Sequence, residues 1–454
     1  MAGKEKGAIS CPFGTGPELP HAVWDRVSNH PCYSEEAHHF YARMHLPVAP
    51  GCNMQCNYCN RLYDCVNESR PGVSSEVLTP EEAAYKVGVI AGEIPELTVV
   101  GIAGPGDPLA NPRRTFKTLA LVKERYPDIR LCLSTNGLML PDYLNTLKAL
   151  NVDHVTITIN MVDPKIGREI YDWVQYKGKK YRGEDGAALL LEKQMAGLSL
   201  LKENEILCKV NSVMVPGIND QHLAEVSEKV KSQGAFLHNI IPFIPCSGSK
   251  FGDQGMRAPT AQERKTLQDL CESRMEMMRH CRQCRADALG LLAEDLSQQY
   301  TREFFQKQPI KYDREKRRQV HLELETKVQA LRAARELLLQ QNELKPMLVA
   351  VATKGGGIVN QHFGHAREFS IFETLGHEVK FVGARNVQHY CQGPVTCGDE
   401  PGALEKVVEM LSDCQALLCV RIGPGPRQTL EAAGIKVFET YDLVINAVQK
   451  VASF

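Results

Sequence analysis

The chain is 454 residues long, more than one hydrophobic core usually serves, so its length predicts about three domains of ~150 residues or a barrel with an extra domain. Its 53 Lys and Arg residues nearly balance its 54 Asp and Glu residues, which argues against a nucleic-acid or acidic-membrane partner. No apolar run reaches the ~18 residues that span a bilayer, and the opening MAGKEKGAIS lacks the apolar core of a secretory signal. We therefore expect a cytoplasmic protein with no nucleic-acid or membrane partner.

The cysteine content points to metal ligation. The sequence has 16 cysteines, and a reducing cytoplasm argues against a disulfide framework. Ten of them are grouped along the chain, as ligands would be. The three groups are Cys11, Cys32, Cys52, Cys56, Cys59 and Cys65; then Cys281 and Cys284; then Cys391 and Cys397.

Between about residues 45 and 245, short apolar runs alternate with amphipathic helical stretches. Six such βα units predict an α/β fold with a parallel sheet that closes only partly into a TIM-like barrel. The first helix is well marked, because Thr79, Pro80 and Glu82 form a capping-box pattern. The strand candidates are HLPVAP near 45, LTVVGIAG near 97, IRLCLSTNG near 129, HVTITIN near 154, LCKVNSVMVPG near 207 and AFLHNIIPFIP near 235.

Two of these strands alternate apolar and polar residues. Successive side chains on a strand point to opposite faces, so the apolar faces should pack under helices and the polar faces should line a cavity. The predicted cavity set is Cys132, Ser134 and Asn136 on the third strand, and Thr156, Thr158 and Asn160 on the fourth.

The rest of the chain predicts a helical region and then a second α/β domain. Residues 260–300 suggest mostly helix, including the CRQC sequence, and residues 312–344 predict a long solvated helix. After Pro346, five strand candidates and three helix candidates form a domain of common size. We divide the chain into an N-terminal segment over 1–44, a barrel with a CxxC extension over 45–300, a helical linker over 301–345 and a C-terminal domain over 346–454.

The run CNMQCNYC places Cys52, Cys56 and Cys59 directly after the first predicted strand, at the end where barrels build their sites. Three thiolates can hold three irons of a cubane and leave the fourth iron open. The spacing resembles the signature of the radical S-adenosylmethionine (SAM) superfamily, with Tyr58 in its aromatic position. A zinc site or a ferredoxin-type cluster with Cys65 as fourth ligand is the alternative from the residues alone.

The superfamily resemblance implies a set of SAM contacts. The GPGDP run after the second strand matches a glycine-rich SAM-binding motif, although Asp107 stands where many members carry Glu. Without the resemblance, such a run is more often an ordinary turn. The implied contacts are Tyr58, Gly104, Gly106, Asp107, Ser134, Asn136, Asn160 and Val215, the last in the VPGIND loop.

Residues beyond this signature resemble the NifB family of nitrogenase cofactor-biosynthesis proteins. The matching runs are SNHPCYSEEAHH at 28–39, DCVNESRPGV at 64–73 and CRQCRADA at 281–288, together with Cys132. The stretch VATKGGGIVNQHFGHAREFSIFE is similar to the NifX and NafY cofactor carriers, which implies a ribonuclease H-like C-terminal domain. The resemblance extends over essentially the whole chain.

This family resemblance implies two further 4Fe–4S precursor clusters in the cavity. We assign His30, Cys65 and Cys132 to one of them, with Glu68 nearby as a proton relay or replaceable ligand. We assign Cys32, Cys281 and Cys284 to the other. From the residues alone, the CxxC pair could instead bind zinc, and Cys132 could be an ordinary buried cysteine.

The implied reaction fuses the two precursors with a SAM-derived carbide and an added sulfide into an 8Fe-9S-C product. The implied partners are an iron–sulfur donor scaffold, cofactor carrier or acceptor proteins of nitrogenase assembly, and an electron donor such as ferredoxin. The C-terminal residues His362, His365, Cys391 and Cys397 could hold finished cofactor, bind zinc or simply face solvent. A different radical SAM enzyme with auxiliary clusters and a non-enzymatic cluster scaffold are the rival functions.

Overall fold

A computed structural model describes residues 23, 26–60, 73–272, 274–340, 346–355, 357–375, 378–387 and 403–452. The chain divides into two compact units. The first comprises Met1–Pro259 and Thr266–Ala330, and the second comprises Thr260–Lys265 and Leu331–Phe454. The division at Ala330 and Leu331 lies within the helical linker predicted over 301–345.

Up to residue 340, strands and helices alternate along most of the chain. The strands are β1 (Ala42–His45), β2 (Met54–Cys56), β3 (Leu97–Ile102), β4 (Arg130–Thr135), β5 (Val152–Thr158), β6 (Tyr171–Tyr176), β7 (Lys179–Arg182), β8 (Leu207–Met214), β9 (Leu237–Pro242) and β10 (Leu289–Gly290). The helices are α1 (Pro80–Glu93), α2 (Pro112–Arg125), α3 (Leu140–Ala149), α4 (Pro164–Ile170), α5 (Gly183–Glu203), α6 (Leu223–Ser232), α7 (Lys250–Asp253), α8 (Ala261–Glu272), α9 (Arg302–Phe305) and α10 (Arg314–Gln340).

The six predicted strands lie parallel in one sheet, in the order in which they occur along the chain. The sheet order is β10-β1-β3-β4-β5-β8-β9, with β10 antiparallel to β1. The apolar outer face of the sheet, including Leu131, Leu133 and Val155, packs with helix residues such as Leu119 and Leu198 in one core. The partial barrel predicted from the sequence is therefore confirmed.

Helix α1 begins as the sequence predicts. The hydroxyl of Thr79 accepts a hydrogen bond from the Glu82 amide at 3.2 Å, and the Glu82 carboxylate accepts one from the Thr79 amide at 2.8 Å. This reciprocal pair satisfies two backbone donors that a helix start leaves open.

Two short pairings were not predicted. Strand β10 adds an antiparallel edge beside β1. Strand β2, which carries Cys56, pairs antiparallel with β6 in a three-stranded sheet completed by β7. The cysteine run is thus attached to a hairpin more than a hundred residues later in the chain.

The expectation of a mostly helical 260–300 region is wrong after α8. Residues 278–288 contain no helix, so Cys281 and Cys284 lie on an irregular segment. Between them, Gln283 has a φ of 52°, a left-handed conformation that turns the chain sharply and that few residues other than glycine adopt. The long helix predicted over 312–344 is present as α10, Arg314–Gln340.

The second unit is a mixed α/β domain with the predicted elements. Its strands and helices are β11 (Met347–Ala352), β12 (Glu368–Leu375), β13 (Glu378–Asn386), α11 (Ala403–Met410), β14 (Ala416–Cys419), α12 (Pro424–Ala432), β15 (Lys436–Glu439) and α13 (Val444–Ala452). The sheet order is β13-β12-β11-β14-β15. Strands β11, β14 and β15 run parallel, whereas β12 is antiparallel to both of its neighbours.

No helix within the described ranges combines the length and the apolar character that a membrane crossing needs.

Candidate active site

A cavity of about 250 Å³ lies on the inner face of the partial barrel. This volume equals several water molecules, so the space is a binding cavity and not a packing defect. Side chains from all six parallel strands line it, including the predicted inward residues of β4 and most of those on β5. Those predicted lining residues are Cys132, Ser134, Asn136, Thr156 and Thr158.

The cysteine loop, defined as residues 52–59, forms one wall of this cavity. Cys52, Cys56 and Cys59 are each partly exposed, and all three line the cavity. The Gln55 side-chain amide donates hydrogen bonds to the carbonyl oxygens of Cys56 at 3.0 Å and Cys59 at 2.9 Å. Gln55 therefore fixes the turn that brings the three sulfur atoms to one side.

Asp107 lies at the neighbouring strand ends, beside the segment that precedes Cys52. Its buried carboxylate accepts hydrogen bonds from the Thr135 hydroxyl at 2.9 Å and from the backbone amides of Asn136 at 2.6 Å and Leu109 at 2.9 Å. Burial raises the pKa of this carboxyl group, against the effect of these hydrogen bonds. The Asp107 side chain thus joins the loops that follow β3 and β4.

Glycines let two loops touch directly at this point. The Gly106 amide donates to the Ala49 carbonyl at 2.6 Å, and the Asp107 amide donates to the Gly51 carbonyl at 2.8 Å. A methyl group at position 106 would lie 2.0 Å from the Gly51 oxygen. Only glycine fits at position 106 without moving the loop before Cys52.

Asn136 and Asn160 hold the cysteine loop through hydrogen bonds. Asn136 donates to the Asn53 side-chain oxygen at 2.7 Å and lies 3.9 Å from the Cys52 sulfur. Asn160 donates to the Tyr58 hydroxyl at 3.0 Å and the Tyr171 hydroxyl at 3.2 Å. Its side-chain oxygen accepts from the Val213 amide at 2.8 Å. These side chains are therefore occupied by protein partners in this structure.

The other predicted SAM contacts divide into residues that line the cavity and residues that do not. Tyr58, Gly106 and Ser134 line the cavity. Gly104 and Val215 are not part of the described lining, and Val215 packs with Phe243 in a buried apolar cluster.

The second predicted ligand set is brought together in space. Cys32, Cys281 and Cys284 line the cavity and pack against the same small apolar cluster. The buried guanidinium of Arg43 donates to the Cys284 sulfur at 3.3 Å. A fixed positive charge therefore lies beside one of the three sulfur atoms.

The first predicted set is described only in part. His30 and Cys132 both line the cavity, whereas Cys65 and Glu68 lie outside the described residues. Gly101 on β3 makes room for the cysteine, because a methyl group there would lie 2.5 Å from the Cys132 sulfur.

Burial affects the thiols at both sites. It raises the pKa of Cys132 to about 12 and also raises the pKa of Cys32. Iron binds the thiolate form, so metal loading must displace protons from these buried groups.

Among the cavity residues that the sequence reasoning missed, His154 and Lys209 carried a signal in the sequence. On β5 the inward positions are even-numbered, and His154 continues the series of Thr156 and Thr158 toward the strand start. On β8 the same alternation brings Lys209 into the cavity together with Asn211. Extending each alternation over the whole strand would have found both residues.

The C-terminal candidates cannot be assembled into a site from the described residues. His362 and His365 lie on the predicted turn with their ring centroids 5.1 Å apart, but Cys391 and Cys397 lie outside the described residues. Within the described part of the chain, no three His, Cys, Asp or Glu side chains converge tightly enough for a single metal ion.

Two family profiles match the chain. The Radical SAM superfamily matches residues 46–230 and the dinitrogenase iron-molybdenum cofactor family matches residues 345–453. Among solved structures, native anSMEcpe with bound AdoMet matches with a TM-score of 0.36 and 15% identity, over 51% of this chain and 62% of that chain.

Two relatives match nearly the whole chain. The FeMo cofactor biosynthesis protein NifB of Frankia alni is 52% identical over 100% of this chain and 92% of that protein. The protein of the same name from Herbaspirillum seropedicae is 56% identical over 96% of this chain and 84% of that protein. Identity at this level over both whole lengths confirms the resemblance found in the sequence: the chain belongs to the NifB family of radical SAM proteins.

Proposed function

We propose that this chain is the radical SAM enzyme that joins two 4Fe–4S units, one SAM-derived carbon and one added sulfide into the 8Fe-9S-C precursor of the nitrogenase cofactor. The supporting observation is that three groups of Cys and His side chains, which are residue types that can bind iron, face one cavity. The groups are the cysteine loop, the pair His30 and Cys132, and the trio Cys32, Cys281 and Cys284. SAM cleavage alone would need only the first group.

The cysteine loop fits a resident 4Fe–4S cluster, because it offers three cysteines at the cavity wall, and three thiolates would leave one iron open for SAM. When bound, this cluster and SAM would supply a carbon radical that abstracts hydrogen. The chain's own part is orientation: Gln55 shapes the loop, Asn160 holds Tyr58, and Asp107 fixes the neighbouring loop. We propose Gly104, Gly106, Ser134 and Val215 as further SAM contacts from the superfamily resemblance.

The two precursor clusters are the substrate in this proposal. Two cubanes contain eight irons and eight sulfides, so the product needs one more sulfide and a carbon atom. Thiolate-bound clusters add negative charge to a buried cavity, which is costly without positive partners. Arg43 beside Cys284 and the buried Lys209 supply such partners.

The residues outside the described ranges complete the proposal. We propose Cys65 as the third ligand beside His30 and Cys132, and Glu68 as a proton relay or replaceable ligand. Both assignments come from the family resemblance. Replacing Glu68 with Gln should slow carbon insertion but leave iron content unchanged, and a fall in iron content would contradict the relay role.

The proposed partners follow from the reaction. An iron–sulfur scaffold would donate the precursors, a ferredoxin-like protein would donate electrons, and carrier proteins would accept the product. The C-terminal unit, which matches the dinitrogenase iron-molybdenum cofactor family, is the proposed docking point for the product, with His362 and His365 as its ligands. We place the reaction in the cytoplasm, where thiols stay reduced.

The test uses reduced, iron-loaded full-length protein and SAM with an isotopically labelled methyl carbon. The proposal expects S-adenosylhomocysteine, 5′-deoxyadenosine and label in the isolated cluster. Label that stays out of the cluster overturns carbon insertion, even if SAM is cleaved. Formation of no 5′-deoxyadenosine would instead favour the rival function of a cluster scaffold, which the cofactor-domain match supports.

A further inference from the structure

We propose that His154 is an additional ligand of the precursor cluster at His30 and Cys132, so that two imidazoles hold this iron–sulfur substrate. This inference rests on the proposed function, because it assigns a residue to one of the two precursor sites.

The position of His154 follows from the sheet. In the parallel pair of β4 and β5, Cys132 and His154 are register partners. Partners in neighbouring strands present their side chains to the same face, and both side chains line the cavity. A sulfur and an imidazole therefore stand side by side on rigid strands.

The His154 ring lacks a hydrogen-bonding partner in the protein. It is 1% exposed, and neither of its ring nitrogens has a partner. A buried polar atom left unpaired is costly, because it has given up its hydrogen bonds to water and gained none in return. His238 on β9 shows the ordinary arrangement of a buried histidine, because its two nitrogens lie 2.7 Å from the Ser227 hydroxyl and 2.9 Å from the Ser212 hydroxyl. A ligand atom at the cavity would satisfy His154 in the same way.

His30 provides the matching half of the site. Its ring centroid is 4.5 Å from that of His154, with an interplanar angle of 61°. The His30 Nδ1 accepts a hydrogen bond from the Cys32 amide at 3.1 Å, which leaves Nε2 without a partner. Tyr33 packs against both rings, with centroids 4.8 Å from His30 and 4.5 Å from His154. The two imidazoles are thus held together, with unpaired nitrogens beside the cavity.

Imidazole is a suitable donor for iron in this position. It binds iron in its neutral form, and two histidines replace two cysteines on one iron of Rieske clusters, which raises the reduction potential. A precursor held by two imidazoles and few thiolates carries less negative charge than one held by thiolates alone. It would therefore be the precursor that gains an electron more readily.

The test detects histidine nitrogen bound to iron. The full-length chain is prepared with ¹⁵N-histidine and with Cys52, Cys56 and Cys59 replaced by Ala, so that the resident cluster gives no signal. After iron loading and reduction, pulsed paramagnetic resonance should show two strongly coupled ¹⁵N nuclei. His154→Gln should lose one coupling, His30→Gln should lose the other, and the double variant should lose both. His238→Gln is the matched control and should retain both couplings.

A single coupling in the parent protein, or loss of all coupling in His30→Gln, would overturn the inference without any need for the His154 variant to fold. An unchanged spectrum in His154→Gln would overturn it too. The labelled-methyl experiment on the wild-type chain separates this inference from the proposed function. If carbon enters the cluster while His154→Gln leaves the spectrum unchanged, only the role of His154 fails.

Discussion

Three polar side chains behind the cysteine loop explain how this part of the site keeps its shape. Asp107 accepts a hydrogen bond from the Asn136 amide, Asn136 donates to Asn53, and Asn160 donates to Tyr58. Hydrogen bonds of this kind, buried and fully paired, fix a geometry that a single loop could not hold. We therefore expect substitutions here to act on the position of the loop.

Replacing Asn160 with Asp tests this positioning role. A carboxylate keeps the acceptor for the Val213 amide, but the hydroxyls of Tyr58 and Tyr171 must turn and donate to it, and a buried negative charge is added beside the cysteine loop. We expect the rate of 5′-deoxyadenosine formation to fall by at least about tenfold, because losing about 1.4 kcal/mol of positioning energy changes a rate by that factor. Tyr171→Phe is the control and should lose less, since Asn160 can still donate to Tyr58. Wild-type cleavage by Asn160→Asp would contradict the role.

Replacing Gly101 with Ala gives an independent test of the precursor site at Cys132. A methyl group there would lie 2.5 Å from the Cys132 sulfur, so Gly101→Ala should displace the sulfur. We expect the variant to bind less iron, by about one cubane per chain, and still to cleave SAM. Gly425→Ala is the control, because nothing lies within 4 Å of a methyl group at that position. Equal iron content in Gly101→Ala and wild type would show that Cys132 is not a ligand.

Local sequence signals predicted some of these residues and not others. The inward positions of Cys132 and Ser134 follow from a two-residue alternation that is visible in the chain. The pairing of Cys32 with Cys281 and Cys284 could not be predicted from spacing, because it depends on an irregular segment turned by Gln283. The resemblance to relatives supplied this set, and the structure brings its members together.

At the level of elements, the strands of the barrel were predictable and the short strands were not. Strands β4 and β5 carry six or seven residues with a clear pattern. Strand β2 has three residues and β10 has two. Such short strands show no periodicity of their own, and their partners lie far away in the chain.

The attachment of β2 leads to a prediction about Gln55. Its side-chain amide donates to two carbonyls of the cysteine loop, and a carboxylate at this position would repel the same oxygens. We expect Gln55→Glu to lose the iron of the resident cluster and SAM cleavage, but to keep the precursor clusters, as measured by iron content and paramagnetic resonance. Gln175→Glu, an exposed change on the partner strand β6, is the control and should behave like wild type. Normal SAM cleavage by Gln55→Glu would contradict the proposed role of Gln55 in shaping the cysteine loop.

For the whole molecule, the sequence predicted two α/β parts and the structure shows two compact units. Alternating strands and helices are visible in the order of apolar and amphipathic stretches along the sequence, which is why the six-stranded barrel and the five-stranded C-terminal sheet were both found. The division falls within α10, inside the linker predicted over 301–345, and the pattern of this one helix gives no signal for a more exact position.

Buried histidines make the stability of the chain sensitive to acid, and His238 gives the clearest case. Burial lowers its pKa from the ordinary 6.5 to about 3. Below pH 6.5 the unfolded chain binds a proton at this histidine, whereas the folded chain does not bind one until about pH 3. The contribution of His238 to the free energy of unfolding is therefore complete above pH 6.5 and is lost as the pH falls. Between pH 7 and pH 5.5 this residue alone should cost about 1 kcal/mol.

His238→Gln removes this titration and still offers polar atoms to Ser212 and Ser227, which flank the ring. The free energy of unfolding is measured with urea on metal-free protein at pH 7 and at pH 5.5. Its decrease between these two pH values should be smaller by about 1 kcal/mol in the variant than in wild type. The comparison between the two proteins cancels the contribution of every other titrating group. Parallel pH dependence of the two proteins would mean that His238 accepts its proton in the folded state, through opening of the β8–β9 region where its serine partner Ser212 lies.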